Sequence, residues 1–294
     1  MKMTNRKKIT HLLKSFSLIA GLSSISGVII ELNAASKANA AVLVTASVTE
    51  QFSKISPTSQ KTIDHKAFSQ LLKAYVRADK SGLTRVNYKD FKTKQSALKA
   101  YIKSLEAVKV TSLSKAEQFA YWANLYNAIT INVVLDAYPV KSIKDIDISP
   151  GLFSNGPWGK KLVTIEGTKI SLDDIEHQIL RKVHTDPRVH YAVNCASVGC
   201  PNLQNQAFDG KNLQAQLNKA ARDYVNSNRG AVVKGNRLAV SKIYVWFKKD
   251  FGGNDEGVLA HLKKHADKDL KSKITKIGSI NSSFYDWTLN DQSK

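Results

Sequence analysis

The chain has 294 residues, with 44 lysines and arginines against 24 aspartates and glutamates, a formal net charge of +20, and only two cysteines. A chain of this length can bury an adequate core without disulfides or a structural metal. The lysines are scattered along the sequence rather than gathered into one run with interleaved aromatic residues, so nucleic-acid binding is not expected.

The first 40 residues are typical of a signal peptide. A basic leader up to Lys14 precedes a largely apolar run from Phe16 to Ile30, and Ala38-Asn-Ala40 has the small-x-small pattern of a signal-peptidase site. The run is too short and too polar for a membrane anchor, which needs about 20 apolar residues. We expect an exported protein, periplasmic or extracellular, that is cleaved near Ala40 and has no transmembrane helix in the mature chain.

Residues 41–63 are rich in Ser, Thr, Ala and Lys and are predicted to form a linker, while residues 64–294 are predicted to form one domain. A first helix is expected behind Asp64 as its N-cap, and a second helix is expected to follow Asp90, because apolar residues recur there at helical spacing.

The helix that begins at Ser114 is predicted to run through the core. Ser114-Lys-Ala-Glu117 has the form of a capping box, and apolar residues lie on both faces of the turns that follow. Asn124 and Asn127 lie on one of these faces. Because buried amides need hydrogen bonds, the two asparagines either bridge core backbone groups or reach into a site.

The remaining patterns predict an α+β fold. They indicate a hairpin over 162–170 around Glu166-Gly167, a helix capped by Ser171, a helix over 213–224, a hairpin over 231–240 and a last helix near 258–262. We expect a single domain with a mixed or largely antiparallel sheet, a central buried helix and surrounding helices.

A carboxylate lies on the buried face of the helix after Ser171. Glu176 falls within its apolar stripe and His177 falls at the edge of that stripe. A buried carboxylate needs a partner, and Arg188 is a candidate.

Both cysteines lie in one turn. Polar and apolar residues alternate from Arg188 to Asn194, which predicts a strand with His190 on its polar face. The strand leads into Cys195 and a turn of small residues that contains Cys200 and closes at Pro201. We call residues 194–201 the cysteine turn.

Several short motifs are spread along the domain: Phe119-Ala-Tyr-Trp-Ala-Asn-Leu-Tyr-Asn-Ala128, Pro157-Trp158, Leu172-Asp-Asp-Ile-Glu-His177, Asp186-Pro-Arg with His190, Asn194-Cys-Ala-Ser-Val-Gly-Cys-Pro201, Ser241-Lys-Ile and Tyr285-Asp-Trp. In this order, over roughly Gly82 to Asn290, they resemble the family called domain of unknown function 547. Similar domains occur in exported bacterial proteins, and in plant proteins beside coiled-coil or glutaredoxin-like segments. The resemblance therefore implies little about activity beyond thiol chemistry or partner binding, and this chain has neither a heptad run nor a Cys-x-x-Cys.

Four interpretations of the cysteine turn compete. In the first, Cys195 is the nucleophile of a thiol-dependent hydrolase or acyl-transferase. The candidate catalytic residues of this interpretation are Cys195, His190, His177, Glu176 and Asn194. The buried asparagines and the backbone amides of the turn would then supply an oxyanion site.

The other interpretations are a disulfide, a metal site and a packing role. A Cys195–Cys200 bridge, structural or redox-active, suits an exported chain. A zinc site would use these thiols with histidines such as His177, His184 and His190, but the spacing matches no common motif, so neither metal nor cofactor is expected. In the last interpretation the domain is a non-catalytic module that binds an envelope component through aromatic residues.

The predicted binding residues are Asn124, Asn127, Arg188, Trp158 and Cys200. For the last interpretation, Trp158, Tyr244, Trp246 and Trp287 are candidates for an aromatic groove. The sequence identifies neither the substrate nor the oligomeric state.

Overall fold

The computed structural model describes residues 46–151 and 155–293. The predicted signal peptide lies outside the described residues. The α-helices are α1 Val48–Phe52, α2 Lys66–Tyr75, α3 Tyr88–Phe91, α4 Gln95–Glu106, α5 Lys115–Ala137, α6 Val189–Ala192, α7 Leu213–Val225, α8 Lys242–Trp246, α9 Asp255–His265 and α10 Lys268–Ile277, and a π-helix spans Asp174–His184. The fold is an α+β single domain, as predicted.

The strands form three small sheets rather than the one sheet expected. They are β1 Val76–Ala78, β2 Thr84–Val86, β3 Val163–Ile165, β4 Thr168–Ile170, β5 Ala231–Lys234, β6 Arg237–Ser241 and β7 Ser282–Phe284. Strands β1–β2 and β3–β4 are separate antiparallel hairpins, and β6 pairs antiparallel with β5 and parallel with β7. The predicted hairpin turn is confirmed, since Glu166 and Gly167 both have the positive φ that a type I′ turn requires.

Helix α5 is buried on all sides, as its two apolar faces predicted, and forms the centre of the larger hydrophobic cluster. Ser114 caps it by accepting a hydrogen bond from the Glu117 amide. The expected reciprocal bond of a capping box is absent from this pair. The Glu117 carboxylate instead accepts from the backbone amides of Ile63 (2.7 Å) and Gly210 (3.1 Å), and so ties two loops to the start of the helix.

Part of the predicted linker packs against the core of the domain. Helix α1 lies in this segment, and the buried ring of Phe52 contacts the edge of Trp122 in α5 at a centroid distance of 5.0 Å. The Thr49 hydroxyl donates to the carbonyl of Gln178 in the π-helix. The Ser- and Thr-rich composition concealed the buried side chain of Phe52, so residues before Asp64 also pack against the core.

The segment before the cysteine turn is helix α6, and the strand prediction there is wrong. The side chain of Asp186 accepts from the Arg188 amide, and the carbonyl of Asp186 accepts from the Val189 amide, which closes a helical turn. The alternating apolar residues reflect two different cores. Val189 packs in the cluster around α5, whereas Tyr191 packs in a second cluster formed by α7, α9, β5 and β6.

Within the described residues, no helix combines the length and the apolar composition needed to cross a bilayer.

Four buried or partly buried histidines make the fold sensitive to acid. Burial lowers the pKa of His65, His184 and His265 from 6.5 to about 4 and that of His261 to about 3. Between pH 6.5 and about 4 the unfolded chain binds protons that the folded chain does not. The free energy of unfolding therefore falls as the pH falls through this window.

We predict a lower urea midpoint at pH 5 than at pH 7, measured by circular dichroism. His184→Phe is the matched variant, because the Nε2 of His184 has no hydrogen-bond partner among the described residues and its ring packs edge-on against Phe119. The variant should keep the fold and should show a smaller difference in urea midpoint between pH 7 and pH 5. An unchanged midpoint between pH 7 and pH 5 would contradict the prediction.

Candidate functional site

A cavity of about 460 Å³ opens beside the cysteine turn. Six segments supply its walls: α5, the residues around Trp158, the π-helix with Asp173 before it, the cysteine turn with α6, the region around α8, and the segment after β7. Its walls include Tyr126, Trp158, Asp173, Glu176, His177, His190, Cys195, Cys200, Trp246, Phe247, Tyr285 and Trp287. The cavity therefore brings together most of the predicted catalytic residues.

The two cysteines are free thiols in contact with each other. Cys195 is partly exposed to the cavity, and Cys200 is 3% exposed. The backbone amide of Cys195 donates to the sulfur of Cys200 at 2.9 Å. The disulfide that one of the interpretations predicts is not formed in this structure.

Cys195 lies in a polar environment that favours its thiolate. A hydrogen bond from the Cys200 thiol, assisted by the hydroxyls of Ser197 (3.3 Å) and Tyr285 (3.0 Å), lowers the pKa of the Cys195 thiol, although burial opposes this shift. Burial and the nearby Cys195 raise the pKa of Cys200 and of Tyr285 well above their ordinary values. Cys200 and Tyr285 therefore keep their protons and act as donors to the Cys195 sulfur.

The cysteine turn is held in place by the segment 286–290. The backbone amides of Val198 and Gly199 donate to the backbone carbonyls of Thr288 and Asp286, both at 2.8 Å. The Asn290 amide donates to the Ala196 carbonyl at 3.1 Å. Gly199 is required here, because a Cβ would lie 2.8 Å from the Asp286 amide nitrogen. Ala196 has a φ of +58°, a conformation that side chains rarely adopt and that this anchoring maintains.

His190 is oriented by a carboxylate that sequence reasoning missed. Its Nε2 donates to Oδ2 of Asp250 at 2.7 Å, and its ring stacks on Phe247. Arg181 also donates to Asp250 through two nitrogens. Although burial opposes the shift, the bonds from His190 and Arg181 lower the pKa of Asp250 well below its usual range. In the neutral ring the lone pair then lies on Nδ1, which is 4.0 Å from Oε1 of Glu176.

No hydrogen bond of the described residues joins Cys195 to a histidine. The sulfur contacts Cys200, Ser197 and Tyr285 instead. Helix α6 places His190 in the wall of the same cavity, but a proton passing between the two residues would have to cross the cavity through water or a substrate.

Glu176 has a different partner from the one predicted. The Tyr126 hydroxyl donates to its Oε2 at 3.2 Å, and the nearest imidazole nitrogens of His177 and His190 are each 4.0 Å from its Oε1. Arg188 pairs with Asp186 because that carboxylate is only two residues away. Arg188 does not line the cavity.

The predicted asparagine sites are structural. Asn127 donates to the Ala192 carbonyl (2.9 Å) and accepts from the Asn194 amide (2.8 Å), while Asn124 bridges the backbone of Phe208 in the same way. Asn194 donates to the Pro201 carbonyl. These amides complete the hydrogen bonding of buried backbone, so they are not free to stabilise an oxyanion.

The backbone amides of the turn are also largely engaged. Those of Cys195, Ala196, Val198, Gly199 and Cys200 all donate within the protein. The hydroxyls of Tyr285 and Ser197 are therefore the oxygen donors in contact with the reactive sulfur.

An aromatic wall faces the thiol. It consists of Trp158, Trp246, Tyr285 and Trp287, whose neighbouring ring centroids are 4.8 to 5.8 Å apart. Trp246 is 46% exposed. Tyr244, the other aromatic candidate, is fully buried in the second cluster, where its hydroxyl accepts from Tyr191.

Asp250 and Tyr285 are the important residues that the sequence did not single out as site residues. Asp250 follows two lysines in a charged stretch, which resembles an ordinary solvated turn. Tyr285 lies 90 residues beyond Cys195. A weak signal existed for Tyr285 only, since Tyr285-Asp-Trp is one of the motifs quoted above. In the described residues, no group of three or more His, Cys, Asp or Glu side chains is arranged to hold a metal ion.

The comparisons with known proteins agree with the motif pattern. Residues 110–225 match the model of a family described as "Protein of unknown function, DUF547". This part of the chain is similar to that family. The DUF547 match contains α5, the π-helix and the cysteine turn, and it is shorter than the range over which the motifs resemble the family. Asp250 and Tyr285 lie beyond it, so the cavity is completed by residues outside the match. No curated protein and no solved structure matches the chain.

Alkylation of Cys195 should report its lowered pKa. We predict that the rate of labelling by iodoacetamide rises with pH through a midpoint below that of a free cysteine, because the thiolate is the reacting form. Tyr285→Phe should raise the midpoint, since it removes a donor to the sulfur. Mass spectrometry of the labelled peptide at each pH is the measurement.

Tyr121→Phe is the matched control for this titration. It also removes a buried hydroxyl, but that hydroxyl bonds the Leu105 carbonyl, away from the cavity. The assignment is contradicted if the two variants shift the midpoint equally or if Cys195 titrates like a free thiol.

Proposed function

We propose that this protein is a thiol-dependent hydrolase or acyl-transferase in which Cys195 is the nucleophile. The observation that carries the proposal is the position of the Cys195 sulfur. It faces a cavity, accepts hydrogen bonds that lower its pKa, and shares that cavity with a histidine oriented by a carboxylate. These are the parts that covalent catalysis by cysteine requires.

In the proposed reaction, the thiol proton of Cys195 passes through a water or substrate in the cavity to Nδ1 of His190. The thiolate attacks the carbonyl carbon of an ester, thioester or amide, and a carbon–sulfur bond forms while the π electrons move to the carbonyl oxygen. Tyr285 and Ser197, which contact the sulfur in the resting protein, are the donors available to that oxygen. The leaving group departs with the proton from His190, and the acyl group remains on the sulfur as a thioester.

The second half of the proposed reaction reverses these roles. Water, or an acceptor alcohol or amine, attacks the thioester and gives its proton to His190. Collapse of the tetrahedral intermediate breaks the carbon–sulfur bond and releases Cys195 as the thiolate. Asp250 stabilises the imidazolium that forms in each half, because its charged carboxylate accepts from Nε2.

A second candidate function is a non-catalytic module that binds an envelope component. The observation that favours it is the aromatic wall, in which the exposed ring of Trp246 offers a surface for a flat or apolar group. The two functions differ in their dependence on the thiol. A binding module needs Trp246 and does not need Cys195.

The first experiment measures acyl-enzyme formation. We predict that p-nitrophenyl butyrate acylates the full chain, detected as an intact-mass increase on the Cys195 peptide with a burst of nitrophenol. Cys195→Ala should abolish the adduct and lower the turnover by roughly 10³-fold or more. Asp250→Asn should lower the turnover by on the order of 10²-fold, because it removes the orientation of His190.

Asp223→Asn is the control for the charge change, since Asp223 pairs with the exposed Lys219 on α7 and does not line the cavity. Circular dichroism of each variant checks the fold. Turnover that survives Cys195→Ala would overturn the assignment of Cys195 as the nucleophile. Ligand binding that depends on Trp246 and not on Cys195 would favour the binding module.

The charge of the cavity indicates which acyl groups it accepts. Asp173 and Glu176 are the formally charged residues among its described walls apart from the histidines, and no lysine or arginine is among them. This is notable in a chain with a net charge of +20. The cavity should therefore select neutral or cationic substrates over anionic ones.

Three p-nitrophenyl esters with four-carbon acyl groups test this selectivity: 4-aminobutyrate, butyrate and hydrogen succinate. We predict that kcat/KM for the succinate ester is about tenfold or more below that for butyrate, a difference of about 1.4 kcal/mol. The 4-aminobutyrate ester should react at least as well as butyrate. Asp173→Asn should reduce the differences in kcat/KM between the three esters. Equal kcat/KM values for all three esters in the unmodified protein would contradict the predicted selectivity.

A further inference from the structure

The two thiols differ in access but are in contact. Both residues line the cavity, but Cys195 is partly exposed, whereas Cys200 is 3% exposed. The Cys200 thiol donates to the Cys195 sulfur, and the Cys195 amide donates back to the Cys200 sulfur at 2.9 Å. A disulfide, with its sulfur–sulfur bond of about 2.0 Å, would therefore link two side chains that already share a hydrogen bond.

This arrangement is the one that reversible thiol oxidation requires. An accessible thiolate reacts with peroxides to give a sulfenic acid, and a second thiol in contact with it then condenses with the sulfenic acid before further oxidation occurs. Cys195 supplies the accessible sulfur, and Cys200 supplies the second thiol. We propose that Cys195 is a site of oxidation by hydroperoxides and that Cys200 resolves the product to a Cys195–Cys200 disulfide.

The chemistry balances with one hydroperoxide. The Cys195 thiolate attacks one peroxide oxygen, the oxygen–oxygen bond breaks, and the other oxygen leaves as an alcohol or water after taking a proton. Cys200 then attacks the Cys195 sulfur, the sulfur–sulfur bond forms, and the sulfenic oxygen leaves as water with the Cys200 proton. Two thiols are oxidised by two electrons, and the peroxide is reduced by the same two electrons.

Oxidation of Cys195 also makes Cys200 more reactive. Burial raises the pKa of Cys200 well above the ordinary value for a thiol, and the hydrogen bond and the charge of Cys195 raise it further. The sulfenic acid of Cys195 carries no such charge. Its formation therefore removes the contribution of Cys195 and favours deprotonation of the resolving thiol.

The backbone keeps the two residues together in either state. Residues 196–199 between them are bonded to residues 286–290 through Val198, Gly199 and Asn290. The buried Arg229 donates to the Cys200 carbonyl and to the Asn202 side chain, which fixes the far end of the turn. Neither the oxidation nor its reversal depends on the acyl chemistry proposed above, although both chemistries use the same sulfur and exclude each other.

The test uses the reduced full chain and hydrogen peroxide. The expected result is a loss of about 2 Da in intact mass. It should be accompanied by protection of both cysteines from alkylation after denaturation, and both effects should be reversed by dithiothreitol. At pH 7, Tyr285→Phe should slow this oxidation and Tyr121→Phe should not, because only Tyr285 donates to the Cys195 sulfur.

Cys200→Ser separates the two steps. In this variant we expect dimedone to trap a sulfenic acid on Cys195, followed by sulfinic acid at longer times without dimedone. The proposal is overturned if the wild-type protein keeps two alkylatable thiols, if the bridge forms between chains on a non-reducing gel, or if dimedone does not label the variant. A protein that forms the internal bridge but shows no acyl adduct would refute the hydrolase and leave this proposal standing.

Discussion

The side-chain amide of Asn127 is the interaction on which the rest of the site depends. It binds the carbonyl of Ala192 and the amide of Asn194, and so attaches the segment before Cys195 to the central helix. Helix α5 is buried on all sides, so this attachment has a rigid support. A buried peptide group left without this partner would cost about 1–3 kcal/mol. The cost explains why two asparagines occupy a helix that is otherwise built for packing.

The charged groups of the cavity also have defined hydrogen-bond partners. Asp250 is shared between Arg181 and His190, which leaves Nδ1 of His190 as the free nitrogen of the ring. Glu176 receives a hydrogen bond from Tyr126 and faces two imidazoles. A chain with a large positive net charge thus keeps its basic groups outside the walls described for this cavity, and the reactive sulfur lies among neutral donors.

The sequence predicted elements where one local rule decided the structure. Helix α5, the hairpin around Glu166-Gly167 and the helix after Ser171 follow from periodicity, a two-residue turn and a cap. Prediction failed where distant contacts decided it. Alternation from Arg188 to Asn194 was interpreted as a strand, although Val189 and Tyr191 enter two separate cores. Phe52 anchors a segment whose composition is that of a linker, and α10 and β7 were not predicted.

The site was also predictable only where its residues lie close together in the sequence. Cys195, His190, His177 and Glu176 lie near one another in sequence, and the structure places all four in one cavity. Asp250 and Tyr285 come from far along the chain, and no spacing rule connects them to Cys195. The asparagines were recognised as unusual, but only the hydrogen bonds show that their role is to support the backbone.

The anchoring of the cysteine turn has a consequence for biosynthesis. Tyr285 and the segment 286–290 are made about ninety residues after Cys195. During translation, α5 and the π-helix are complete while the sulfur still lacks its phenolic donor and the turn lacks its backbone partners. In the nascent chain, Cys195 therefore lacks one of its hydrogen-bond donors, and its full set of donors is assembled only when the last strand described here and the residues after it have docked.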